Sequence, residues 1–127
     1  MSATIDGARW DAKAGLTVVH SGGSITLGGS DVLLGPMTSV NLSFPDGVGS
    51  HPVASAGLTF ADVMISNALA GAPLSTWSSA VGGSSGTITV TTSTASGAAG
   101  TFQLSLPGFG KTTGTKNVTN GVFNVTF

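Results

Sequence analysis

Apolar and polar residues alternate along this chain in short runs, and a turn-forming pair or cluster closes most of them. "ATIDGARWDA" reads as a strand, an Asp6-Gly7 turn and a second strand carrying Trp10. Asp-Gly supplies the positive φ angles that a tight type I′ hairpin needs. "LTVVHSGGSITLGG" repeats the device around Gly22-Gly23. In "TSVNLSF" the side chains of Val40, Leu42 and Phe44 share one face while Asn41 and Ser43 take the other. Pro45-Asp46-Gly47 then turns the chain.

The middle is less regular. Val63, Ile65 and Leu69 do not alternate cleanly, and Ala61–Ala70 is compatible with a helix. Strand patterns dominate both sides, so the reading is a strand over Thr59–Ser66, then a loop or short helical turn. The sequence from there to Trp77 reads as loop. Further on, Ile88 and Val90 share a face, as do Phe102, Leu104 and Leu106. Pro107 ends its strand, because proline cannot donate to a ladder, and Gly108–Gly114 is a loop. In the last segment Asn120-Gly121 separates Asn117–Thr119 from Val122–Phe127, as a tight turn or a glycine bulge. Phe123, Val125 and Phe127 then form an inward stripe, with the terminal phenylalanine plugging one end of the core.

Short connections make sequence neighbours into antiparallel spatial neighbours. The expectation is one all-β domain over residues 1–127, an antiparallel β-barrel or closed β-sandwich of about nine or ten strands with mostly meander connectivity.

Composition changes this picture chiefly through charge. Charged residues are 7% of the chain, against ~25% in an ordinary soluble domain. Glutamate is absent, and 17 serines and 17 threonines take its place on the surface together with glycine and alanine. A net charge of −1 and four basic residues give no field for a phosphate backbone, so nucleic acid is not expected as a partner. Weak electrostatic repulsion between copies favours self-association, a homo-oligomer or larger assembly. With no cysteine, disulfides and thiolate chemistry are excluded. No apolar stretch approaches the ~20 residues of a membrane helix. The start lacks a basic, apolar signal pattern, and the reading is a mature domain carrying a new start methionine.

The segments "SATIDGARWDA", "SGTITVTT", "GTFQLSL" and "KTTGTKNVTNGVFNVTF" resemble a family of bacterial domains of unknown function. Its members are typically secreted or lipid-anchored envelope proteins. The resemblance implies an extracytoplasmic location and no particular reaction. Where the family carries a Gly-x-Tyr strand start, this chain has Gly49-Ser50-His51.

Candidate chemistry is sparse. Asp6 and Asp46 precede glycine in turns, Asp11 alternates with Arg9 and Lys13 in a charge stripe, and Asp31 follows a Gly-Gly-Ser loop. Asp62 alone has no local structural reason. A triad of His20 or His51 with Asp62 and a serine is discounted, because among 17 serines any histidine has one nearby. The same residues lack metal-ligand spacing, so no metal or cofactor is expected. Trp10, after a tight hairpin, reads as core, and Trp77 reads as an exposed ring able to stack on a sugar. Thr87, Thr89 and Thr91 form a single solvent-facing row with ordinary strand propensity. Asn41, Asn117 and Asn124 stand in Asn-x-Ser/Thr sequences whose number chance accounts for. The expected protein is therefore a non-enzymatic extracytoplasmic domain that works by binding or self-assembly at a bacterial cell surface. The alternative is a carrier or binding module for a small apolar or carbohydrate ligand, with Trp77, His51 and Asp62 as its ligand-binding residues. A small hydrolase is the remote third reading.

Overall fold

Both glycine turns form where the pattern places them. Asp6 and Gly7 take φ of 47° and 83°, and Gly22 and Gly23 take 60° and 77°, so each pair closes a type I′ hairpin. The first joins β1 (Ser2–Ile5) to β2 (Ala8–Asp11), and the second joins β3 (Gly15–Ser21) to β4 (Ser24–Ser30). The computed structural model describes residues 1–127, with seven further strands. These are β5 (Met37–Pro45), β6 (Gly49–Pro52), β7 (Phe60–Asn67), β8 (Ala72–Ser78), β9 (Ser85–Thr94), β10 (Gly97–Pro107) and β11 (Thr115–Thr126).

The eleven strands form two antiparallel sheets, ordered β2-β1-β11-β10-β9-β6 and β3-β4-β5-β7-β8. The expected closure does not occur: each sheet keeps two free edges, and the fold is an open sandwich, not a barrel. Alternation along a strand is the same in both architectures, so the local pattern could not separate them. Meander connectivity holds within β3-β4-β5, β7-β8 and β9-β10-β11. It is broken where the chain crosses between the sheets, from β2 to β3, into and out of β6 and from β8 to β9, and where the first strand pairs with the last.

The core lies between the sheets. Ile25, Leu27, Val40, Leu42, Phe44, Ala61 and Val63 from the five-stranded sheet meet Ile88, Val90, Phe102, Leu104, Val118, Phe123 and Val125 from the other, within one buried cluster of 21 residues. The rings of Phe44 and Phe123 meet across the layers with centroids 5.2 Å apart. Glycines make two of these packings possible. Phe123 lies opposite Gly100, and Phe102 lies opposite Gly121, so in each pair a ring covers a residue with no side chain.

Two details correct the sequence reading and two sharpen it. The region read as loop before Trp77 is β8, with Pro73 in it; β8 is an edge strand, where a missing N–H costs no ladder bond. β6 begins at Gly49, where the family resemblance puts a strand start, although its sequence GSHP shows no apolar alternation. Asn120-Gly121 is a bulge inside one continuous β11, with Asn120 at φ 51° and a register shift opposite Phe102–Leu104. Phe127 does not plug the core. It lies beyond the strand, 41% exposed, and stacks on His20 of the opposite sheet at 4.2 Å between centroids. The ambiguous middle follows the expected course, a strand to Asn67 and then a single 3₁₀ turn, Ala68–Ala70.

Candidate functional site

The three residues singled out for ligand binding lie in three separate settings. Trp77 is buried, not exposed: the residue is 9% accessible and its Nε1 donates to the Thr113 carbonyl at 3.3 Å. The cover comes from the 108–114 loop, where Phe109 N–H donates to the Thr76 carbonyl and Gly108 bridges to Trp77. Lys116 Nζ sits 4.4 Å from the Trp77 ring centre, a cation–π contact that completes the enclosure. The stacking platform expected at Trp77 does not exist. Trp10 is core as its hairpin position implies, 4% exposed and donating to the Thr38 carbonyl.

His51 lies on β6 with Nε2 2.8 Å from the Gly47 carbonyl, while His20 Nε2 pairs with Asp46 Oδ2 at 2.9 Å. Both histidines thus fasten the turn after β5. No hydrogen bond joins either to Asp62, and no three His, Cys, Asp or Glu side chains gather as a metal site would require. Gly82-Gly83-Ser84-Ser85-Gly86 has the Gly-x-Ser-x-Gly spacing of a nucleophile elbow. An elbow needs a strand-to-helix turn. Here the run connects two strands, and Ser84 Oγ donates to the Ser79 carbonyl.

Asp62 stands on the outer face of β7, half-buried, with Oδ1 accepting from Asn41 Nδ2 at 2.7 Å. Asn41 has room there because its neighbour on β4 is Gly28, where a Cβ would come within 2.9 Å of Asn41 Oδ1. Burial pushes the Asp62 carboxyl above its ordinary value, and the Asn41 bond opposes this. A raised folded value favours the protonated native state. Its stabilising contribution is full below the ordinary aspartate range of ~3.9 and fades as pH rises through the folded value. Asp62→Asn retains the shape and an acceptor for Asn41 while removing the charge. Thermal melts should show little change near pH 3 and a higher Tm than the parent at pH 7. A shift of equal size at both pH values would assign the effect to packing.

The other carboxylates are structural. Asp6 accepts from Asn117 N–H and from Lys116 Nζ, both at 2.9 Å, and those contacts, the backbone bond first, hold its carboxyl below the usual range. Asp11 pairs with Arg9 at 2.8 Å, and Asp31 accepts from Thr38 N–H.

The four edges are unequal. β2 is short and carries Arg9 and Asp11; β6 is short and carries Pro52; the 108–114 loop covers β8. Charge, proline and a covering segment are all devices that keep edges from pairing. β3 has none of them. Its seven residues, GLTVVHS, contain no lysine, arginine, carboxylate or proline, and Leu16 and Val19 are 39% and 52% exposed. The two-residue turn makes Ser21 and Ser24 a hydrogen-bonded pair, and such pairs alternate along the ladder. Leu16, Val18 and His20 therefore direct their backbone N–H and C=O groups away from β4.

No family model, curated protein or solved structure matches the chain.

Proposed function

We propose that this protein is a non-enzymatic, extracytoplasmic β domain that works by self-assembly at a bacterial cell surface, with one copy pairing to another along β3. The observation that carries the reading is the contrast among the edges: three are guarded and the longest uncovered one is not. Antiparallel pairing of β3 with its copy is isologous, as a two-fold dimer requires. It would join two five-stranded sheets into one continuous sheet and satisfy the outward groups of Leu16, Val18 and His20. A net charge of −1 leaves little repulsion to oppose it. The Ser/Thr/Gly-rich, glutamate-free surface and the resemblance to envelope domains support the location. A carrier of small apolar ligands is less favoured, because side chains from both sheets fill the space between them.

Sedimentation velocity over a wide concentration range tests the reading. Dimer should grow with concentration, and Leu16→Pro should weaken it by about tenfold or more, ~1.4 kcal/mol. That substitution removes an outward N–H and leaves the β3–β4 ladder bonds in place. A strict monomer at ~1 mM, a concentration that would populate even a weak dimer, would sink the proposal. So would a dimer indifferent to Leu16→Pro.

A further inference from the structure

A second surface, remote in kind from the β3 edge, has its own chemistry. On the outer face of the six-stranded sheet, Ser50 of β6 stands beside Thr89 of β9, which stands beside Thr101 of β10 and then Val122 of β11. One step along, Thr87 neighbours Gln103. Thr91 drops out of the row that alternation would give it, because it is the extra residue of a bulge between Val90 and Thr92. The bulge in β11 does the opposite. Thr119 and Asn120 are consecutive and both exposed, so Asn120 joins the face. The result is a shallow trough of about 610 Å³, adjoined by a second of about 370 Å³ that shares Thr87 and Gln103. Both volumes fall within the ~300–1,000 Å³ of small-molecule sites.

Three properties of the trough define its ligand. None of its lining side chains is ionisable. Apart from a long Ser50–Thr89 contact of 3.5 Å, the hydroxyls and amides that line it make no hydrogen bond within the protein. On the outer face of the other sheet some polar groups bond one another, Thr26 to Ser43 and Asn41 to Asp62. The third property is the lack of an exposed aromatic or broad apolar area: Phe102 is 3% accessible, and Val122 is the exposed large apolar side chain there. A protein interface draws on aromatic and apolar anchors, and a phosphate or anionic lipid surface needs cations. Free uncharged donors and acceptors in a trough match a chain of hydroxyl groups.

We propose that this face binds a neutral oligosaccharide, held by hydrogen bonds to Thr87, Thr89, Thr101, Gln103 and Asn120 without ring stacking. The stretch from Thr101 to Ser105 measures roughly 14 Å at ~3.4 Å per residue, room for about two or three sugar rings. Recognition by solvated hydroxyls alone gives a dissociation constant of about 0.1–1 mM.

The test is amide NMR on the full chain with neutral tetrasaccharides (β-1,4-, β-1,3- and α-1,4-linked glucose) and one uronic acid tetramer. A neutral tetramer should shift the amides of Thr87, Thr89, Thr101, Gln103 and Asn120 and leave those of Thr17, Val19 and Asn41 in place. The variant Thr101→Val with Gln103→Ala should weaken binding at least about tenfold and keep the parental melting temperature and self-association. Three results would overturn the proposal: no response to any neutral tetramer at ~10 mM, far above the expected constant; shifts that map elsewhere or survive the double variant; or response to the uronic acid tetramer alone. Leu16→Pro should leave the sugar response unchanged, so failure at β3 and failure here are separate outcomes.

Discussion

A chain lacking Phe123–Phe127 is expected to be unfolded at room temperature. Those residues supply the last third of β11, which pairs with Gly97–Gly100 of β10. Their loss leaves that stretch of β10 as a bare edge and takes two fully packed side chains, Phe123 at 1% and Val125 at 4% exposure, out of the core. A buried phenylalanine cut to alanine costs about 3–5 kcal/mol and burial of a valine contributes about 1.5–3 kcal/mol. The Phe44 contact and the ladder bonds are lost as well. Domains of this kind hold about 5–15 kcal/mol in all, so the sum removes most or all of it.

Single substitutions divide the effect. Phe123→Ala should carry the largest part. Phe127→Ala should cost no more than about 0.5–1.5 kcal/mol, since it gives up a partly exposed ring stacked on His20. Asn124→Ser, on the outer face, should stay within about 0.5 kcal/mol. Circular dichroism melts read all four. A truncated chain that still melts cooperatively near the parental temperature would make the end of β11 an appendage.

What was legible in the sequence was whatever depends on close neighbours. Asp6-Gly7 and Gly22-Gly23 announce their turns because few residues accept positive φ, and Val40, Leu42 and Phe44 announce a face because a strand alternates. Asp62 was also legible as the one carboxylate without a local reason, although its reason lies across the strand at Asn41. What depends on distant chain was not legible. Trp77 looked exposed because its cover, the 108–114 loop, arrives some thirty residues later. Phe127 continued the inward alternation on paper, but the strand ends at Thr126 and the ring falls past the core. The hydroxyl trough needs Ser50, Thr89 and Thr101 side by side, and no single strand contains that row. Barrel and sandwich share one local pattern, so the choice rested on which strands end unpaired.

Gly100→Ala should destabilise the fold by about 3 kcal/mol or more, at the upper end of overpacking costs. Gly100 sits in β10 between Val90 and Phe123, next to the β9 bulge. A Cβ there would fall 2.6 Å from Phe123 Cζ and collide with the Thr89 carbonyl oxygen. The ring contact has one remedy, a smaller residue at 123. The carbonyl contact has none, because moving it means moving the backbone of β9 and its bonds to β10. Gly100→Ala with Phe123→Leu should therefore remain strongly destabilised, more than Phe123→Leu alone. Gly121→Ala, whose Cβ would lie 2.5 Å from Phe102 Cδ2 and from the Phe102 carbonyl oxygen, should behave alike on the next pair. Gly47→Ala supplies the contrast, since it meets nothing within 4 Å and its φ is not positive. Restricting the unfolded chain there should be neutral or stabilise by up to about 1 kcal/mol. Urea unfolding of the five variants decides between steric and entropic causes. If Gly100→Ala and Gly47→Ala unfold at the same midpoint, Phe123 does not pack against a bare backbone, and the seam between β9, β10 and β11 is looser than described.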